Sequence, residues 1–501
     1  MKTHDRFACR RSLMIQGTTS DAGKSTLVTA ICRILHRKGY RVAPFKPQNM
    51  ALNSAVAIEG GEIGRAQAVQ AMACGISPSV MMNPILLKPT SEQGAQVIVN
   101  GQAVSNMQAA EFQTHKGRLL NTVLQAHAAL SNQYDHVIVE GAGSPAEVNL
   151  RHNDLANMGF AEAVDCPVII VADIERGGVF AHLYGTWAVL SESEKSRIVG
   201  FVINRFRGDA SLLDSGLQWL LEKTGVPVLA VLRYLENLHL EAEDSISQNQ
   251  TAQSGTAASV VRVAVPMYPR ASNHTDFDVL RMHPDVDCRF FRDPVKYPGA
   301  DLIVLPGSKH VRGDLHWLRE AGWEEVIRRH LRYGGKLIGL CGGYQMLGQW
   351  VHDTVGVESS PGSTAGLGLL DLETTLREQK TLRNVCGVIR DTDLKVRGYE
   401  IHAGTTTGGG NPVFVLQDEG GVQFTDGALN DDENVMGTYL HGLFDTEEML
   451  SYWLNWLGPR QLTPFDYLAH CDAEIERLAD AVESQLPSSM LMQIMGGENR
   501  P

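Results

Sequence analysis

The sequence has no C-x-x-C pair among its eight cysteines, which stand at 9, 32, 74, 166, 288, 341, 386 and 471. Scattered in this way they exclude a zinc-ligand spacing and a dense disulfide framework, and they fit a reducing, cytoplasmic setting. No apolar run is long enough to span a bilayer. The opening MKTHDRFACRRSLMIQG passes straight into a strand-like segment, without the apolar region and cleavage site of a signal peptide. Positive charge is in deficit, with 44 Lys and Arg against 57 Asp and Glu, a net of −13. That balance excludes general attraction to nucleic acid or membrane and leaves small molecules as the expected partners, some of them held in a local basic pocket. There is no internal repeat, and oligomeric state has no signature here.

What is present is length and apolar content for several cores. At 501 residues and 43% hydrophobic the chain predicts two or three domains. Short apolar runs, RSLMIQ, RVAPF, HVIVE, CPVIIVA, IVGFVIN and PVLAVL, alternate with helical patterns in the rhythm of a parallel α/β sheet, placing a first domain at 1–235. Residues 236–260 turn polar, without apolar period, and read as a linker. A second α/β series (VVRVAVPMY, DLIVLPGSK, GGKLIGLCGGYQMLG, NVMGTYLHGLF) fills 261–458. Residues 459–501 carry a helix, FDYLAHCDAEIERLADAVESQL, and a frayed tail.

After RSLMIQ comes Gly17-Thr18-Thr19-Ser20-Asp21-Ala22-Gly23-Lys24-Ser25-Thr26 and then a helical stretch. Strand, glycine loop and helix is the setting of a P-loop, in which small residues let backbone N–H groups close on phosphate at a helix N-terminus. ATP is therefore expected on Gly17, Thr18, Thr19, Asp21, Ala22, Gly23, Lys24, Ser25 and Thr26, with Lys24 on the outer phosphates and Ser25 on Mg²⁺. Glu140, closing HVIVE, is a second candidate for the metal or its water. Asp173, closing VIIVAD, serves metal or substrate, or caps the next helix. Asn204, closing GFVIN, reads the adenine edge or forms a turn.

Five residues rather than four separate Gly17 from Gly23. This spacing resembles dethiobiotin synthetase and its relatives; the partitioning ATPases of that superfamily carry an early loop lysine that is missing here.

Cys341 ends the strand KLIGL between glycines and ahead of a helix, the setting of a nucleophile elbow built with sulfur. The helix N-terminus favours the thiolate and offers N–H groups to an oxyanion. His441, in GTYLHGLF, is the expected acid and base, while Gly307, in LIVLPGSKH, and Gly342 supply the oxyanion hole. In this order the pieces resemble the Cys-His glutamine amidotransferase domain. Many such domains continue His-x-Glu, but Leu443 stands at that position, so the third partner is absent or comes from elsewhere. The cobyric-acid and cobyrinate synthase branch shares this omission, and RGYEIHAG (397–404) also resembles it, with His402 structural rather than catalytic.

An ATP site and a glutaminase in one chain imply amide synthesis. PFKPQNMALNS (44–54), EIGRAQAVQA (62–71), MNPILLKP (82–89), DIERGGVFAHLYGT (173–186) and SNHTDFDVL (272–280) are similar to the same branch. The resemblance implies amidation of the b, d, e and g carboxylates of adenosylcobyrinic acid a,c-diamide, with ATP and Mg²⁺ and no organic prosthetic group. Lys46, Gln48, Asn49, Asn53, Arg65, Gln67 and Lys88 are polar groups in those segments that face the carboxylates or phosphates, or satisfy the backbone. Two other readings stay open: cobyrinate a,c-diamide synthase, and an ATP-switched binding module with a decayed glutaminase.

Overall fold

Valine- and isoleucine-rich runs bury both faces of a strand, which suits the middle of a parallel sheet covered by helices. The structure, a computed structural model, describes residues 12–89, 94–151, 153–240, 260–408 and 411–496, with the backbone alone across 105–116. Most of the linker expected at 236–260, and the tail after 496, lie outside the described residues.

The chain divides into two units, one of residues 1–51, 57–243 and 470–501, the other of 52–56 and 244–469. In the first, six strands form an all-parallel sheet: β1 (Ser12–Gly17), β2 (Val42–Phe45), β3 (His136–Glu140), β4 (Val168–Asp173), β5 (Ile198–Phe206) and β6 (Val228–Arg233). Their order is β6-β5-β4-β1-β3-β2. These are the apolar runs of the sequence. Helix α1 (Lys24–Arg37) leaves the glycine loop after β1 and buries Leu27, Ile31, Ile34 and Leu35 against the sheet. Each such side chain contributes about 2 kcal/mol of burial. Beside this sheet lies a four-stranded one of Gln48–Met50, Ile85–Pro89, Gly94–Val99 and Gln102–Gln108.

The second unit has its own six-stranded sheet: β7 (Val261–Pro266), β8 (Val286–Phe291), β9 (Leu302–Leu305), β10 (Lys336–Leu340), β11 (Ala428–Leu429) and β12 (Val435–Thr438). The order is β8-β7-β9-β10-β12-β11, parallel except for the antiparallel edge pair β11 and β12. The six-residue helix α2 (Gly342–Leu347) follows β10. An antiparallel five-stranded sheet in the same unit, with Thr381–Ile389 and Lys395–His402 at its centre, was not expected from the residue pattern. The short strand Leu440–His441 pairs with Tyr399 and Glu400 of that sheet.

The C-terminal helix α3 (Tyr467–Glu483) has the helical spacing read from the sequence. It does not stand as a separate appendage. Ile475, Leu478, Ala479 and Val482 join the core of the first unit together with α1. Arg33 donates to Asp472 at 2.6 Å and to Glu476 at 2.7 Å, and Arg37 donates to Glu476, Asp480 and Glu483 along the same helix. Among the described residues no helix is long and apolar enough to cross a membrane.

Candidate active site

The carboxyl ends of neighbouring parallel strands form the crevice in which open α/β sheets hold ligands. Gly17 ends β1, Glu140 ends β3, Asp173 ends β4, and Asn204 pairs in register with Asp173 from β5. The loop from Gly17 to Lys24 curls over this edge. Gly23 has φ +101°, and a Cβ there would meet the Asn204 amide nitrogen at 2.0 Å, so the position demands glycine on both counts. Asn204 Nδ2 donates to the Ala22 carbonyl at 3.1 Å, tying strand to loop. Lys24 Nζ donates to the carbonyls of Thr19 (3.0 Å) and Gly143 (3.1 Å), curled into its own loop. Thr18 N is held by Val171 O at 3.0 Å, Asp21 lies in the left-handed region at φ +57°, and Thr26 falls in the first turn of α1.

Glu140 is the centre of a buried polar knot. It has no exposed surface. Its Oε1 accepts from Ser25 Oγ at 2.7 Å and lies 2.9 Å from Lys46 Nζ, while Oε2 accepts from Gln70 Nε2 at 2.5 Å. Burial favours the neutral acid, but the Lys46 charge and the three donors outweigh it and hold the carboxyl below its ordinary range. A hydroxyl and a carboxylate oxygen side by side suit a hard cation, and the ammonium beside them suits phosphate.

In the second unit the strand-to-helix corner is strained. Cys341 has φ +52° and ψ −107°, a region costing a non-glycine residue about 1–3 kcal/mol. Its N–H donates to Thr438 O at 2.8 Å, and its thiol donates to Ile401 O at 3.3 Å. A Cβ on Gly343 would fall 2.2 Å from Leu305 O, so the corner closes only with glycine there. Gly307, paired with Ser272, and the adjoining Ser308 stand against Gly342.

His441 is 1% exposed and close enough to Cys341 for the two to interact electrostatically. A carboxylate from far back in the chain lies against the imidazole. Asp276 Oδ2 accepts from His441 Nδ1 at 2.8 Å, and its Oδ1 accepts from Gly442 N at 3.4 Å. Burial would lower the imidazole pKa, but the Asp276 charge and hydrogen bond, with Cys341 adding to them, push it up to about 10. Leu443 is buried and apolar. Glu400 is engaged by Arg383 at 2.6 Å, and His402 stacks on Tyr439 with ring centres 3.7 Å apart.

Residues 262–449 match the CobB/CobQ-like glutamine amidotransferase domain, and residues 13–247 match the CobQ/CobB/MinD/ParA nucleotide binding domain. The chain belongs to the CobQ/CobB family. It is a CobB/CobQ-type glutamine amidotransferase with an ATP-binding domain. Among solved structures it is similar to PurLQS from Thermotoga maritima, at 17% identity over 44% of this chain and 97% of that one, with a TM-score of 0.29. A glutamine amidotransferase structure matches at 15% identity over 39% of this chain and 97% of that one, with a TM-score of 0.26. At those scores neither likeness bears on the fold.

In this CobQ/CobB family chain the residues expected to face substrate fall in different places. Lys46 is 3% exposed and pairs with Glu140, while Lys88 is in a buried ion pair with Glu62. Asn49 Nδ2 donates to Gln67 Oε1 at 2.9 Å, beside Gly64. Gln48 and Arg65 are half-buried. Asp173 accepts from Glu175 N at 2.8 Å and from Arg205 at 2.8 Å; it does not cap the next helix, Val179–Ala188, whose N-cap is Gly178, because its carboxylate is taken up by the turn directly after β4 and by the ion pair. Asn53 does not join the others: it groups with the second unit, where its amide nitrogen lies 3.0 Å from His274. The sequence reading missed Gln70 and Asp276. Asp276 sits in SNHTDFDVL, a segment already singled out, and the missing acid at 443 was the signal to look there.

Proposed function

We propose that this chain makes amides on a corrin, converting the b, d, e and g carboxylates of adenosylcobyrinic acid a,c-diamide to give adenosylcobyric acid. The observation that carries the reading is one chain holding both a phosphate loop backed by the Ser25, Glu140 and Lys46 knot and a strained Cys341 beside His441. ATP binds the Gly17–Thr26 loop, with Lys24 swinging from its resting carbonyls onto the phosphates and Asn204 at the adenine edge. Mg²⁺ would be held by Ser25 and Glu140, where it neutralises phosphate charge. A substrate carboxylate oxygen takes the γ-phosphoryl group, giving an acyl phosphate and ADP. Ammonia then attacks the acyl carbon and inorganic phosphate leaves.

The ammonia comes from glutamine. The Cys341 sulfur adds to the amide carbon, Gly307 and Gly342 receive the oxyanion, and His441 protonates the departing nitrogen. Water then cleaves the thioester to glutamate. Arg65 and Gln48, half-buried where Lys46, Asn49, Gln67 and Lys88 are enclosed and engaged with other side chains, fit a substrate with many carboxylates, the guanidinium as a counter-charge and the amide as a donor.

The test is mass spectrometry of products from the purified full chain given ATP, Mg²⁺ and glutamine with either cobyrinic acid or its a,c-diamide. Four added amides on the diamide support the reading. Amidation of cobyrinic acid at two positions, with the diamide ignored, replaces it with a,c-diamide synthesis. Absence of glutamine-dependent ATP turnover with both acids refutes catalysis on corrins.

A further inference from the structure

A cysteine–histidine pair needs its imidazole held in one tautomer and one orientation, because the nitrogen facing sulfur must be the one that exchanges the proton. The position that would do this from two residues downstream is Leu443, which is 1% exposed and apolar. Glu400 is occupied by Arg383. We propose that Asp276 is the positioning carboxylate of the pair, holding His441 by its Nδ1–H so that Nε2 is turned to Cys341. The inference rests on the reading that Cys341 and His441 hydrolyse glutamine.

The local chain explains how a residue 165 positions away reaches the histidine. Ala271–Ser272 pairs antiparallel with Gly307–Ser308, which fixes the start of the segment beside the oxyanion strand. Asn273 then takes a left-handed conformation, φ +54°, which turns the chain into the short 3-10 helix His274–Phe277. Asparagine tolerates that conformation better than most residues. The turn brings Asp276 to a site where it is only 6% exposed, with Oδ2 on His441 and Oδ1 on the Gly442 backbone. Asn273 Nδ2 lies 3.3 Å from both imidazole nitrogens, and the Tyr399 ring stacks on the imidazole with centres 5.1 Å apart at 13°. The groups facing His441 are thus Asp276, Cys341, Asn273 and Tyr399, and among them Asp276 is the carboxylate. One five-residue segment, Ser272–Asp276, therefore secures both the oxyanion strand and the base. A carboxylate that only tied down the turn at Gly442 would have no reason to face Nδ1.

The test is glutamine hydrolysis by the full chain, comparing the unmodified protein with Asp276→Asn, Asp276→Glu and Cys341→Ala. Asp276→Asn preserves shape and the Gly442 contact but no longer stabilises the imidazolium. Its kcat should fall on the order of 100-fold or more while KM for glutamine stays within about three-fold, the signature of a lost transition-state interaction. The basic limb of the pH profile should move to lower pH, because the buried imidazolium loses its counter-charge. Asp276→Glu should recover part of the rate. Hydrolysis by Asp276→Asn within about three-fold of the parent, with an unshifted profile, overturns the proposal. Full activity in Cys341→Ala would instead overturn the reading of the site on which it rests. Should Asp276→Asn fail to fold, the unmodified protein decides through the downfield proton resonance of a carboxylate-bound imidazole N–H. That signal should be present and vanish in His441→Gln, and its absence from the unmodified protein refutes the pairing.

Discussion

Replacing Glu140 by Gln should damage the first unit as much as its chemistry. The side chain is fully buried, and its charge is what Lys46, itself 3% exposed, is paired with at 2.9 Å. Glutamine keeps one oxygen for Ser25, but it removes the negative charge 2.9 Å from the Lys46 ammonium and turns an NH₂ toward Gln70 or Lys46, donor against donor. Breaking one side of a buried pair costs about 3–5 kcal/mol, and the retained Ser25 contact argues for the lower end. About 3 kcal/mol corresponds to roughly a 100-fold rise in local opening. Hydrogen exchange resolved on peptides from β1, β3 and α1 reads this directly, free of the second unit. Adding Lys46→Met should recover most of the loss, a coupling of about 2 kcal/mol in a double-mutant cycle. The pH dependence has a definite sign. Because the folded carboxyl lies below its ordinary value, its contribution is fully present above the unfolded pKa, near 4.5, and is lost as pH falls through the folded one. Glu140→Gln should flatten that acid limb. Exchange within about two-fold of the parent, or additivity with Lys46→Met, would refute the paired-charge account.

Lys24→Ala should abolish amide formation with glutamine or with ammonium, since phosphoryl transfer depends on cationic stabilisation of the γ-phosphate; unaltered product formation removes Lys24 from the site. Cys341→Ala should lose glutamine-supported synthesis yet keep ammonium-supported synthesis at mildly alkaline pH, and loss of both in a folded variant refutes the division of labour. Ile475→Ala, at a fully buried position on α3, should cost the first unit about 3 kcal/mol, read as faster exchange in α1; unchanged exchange there would show that α3 is dispensable.

The strands and both strand-to-helix corners were legible in the sequence because they are local. Val168–Asp173 and Lys336–Leu340 announce themselves by apolar runs, and Gly23 and Cys341 by the residues on either side. What escaped depended on the third dimension. Asp276 meets His441 only through the left-handed turn at Asn273, and Lys46 meets Glu140 only because β2 and β3 are neighbours. The antiparallel strands at 381–389 and 395–402 escaped for a different reason. Their half-buried, mixed side chains give no clean alternation to read.

The order of segments along the chain bears on how these units can be separated or exchanged. A cut in the 236–260 stretch looks like the natural way to obtain two independent proteins. It would strand Ile475 and Leu478 on the wrong fragment, stripping the first unit of the helix that closes its core. It would equally deprive the second unit of residues 52–56, where Val56 packs with Tyr399 and Ile401 and the Ser54 carbonyl accepts from the Tyr399 hydroxyl. Tyr399 is the ring lying on His441. A separately expressed 261–458 fragment would therefore carry every residue of its nucleophile and base while lacking the support beneath them. A graft that moves one unit into another protein must carry three pieces of chain for the first and two for the second.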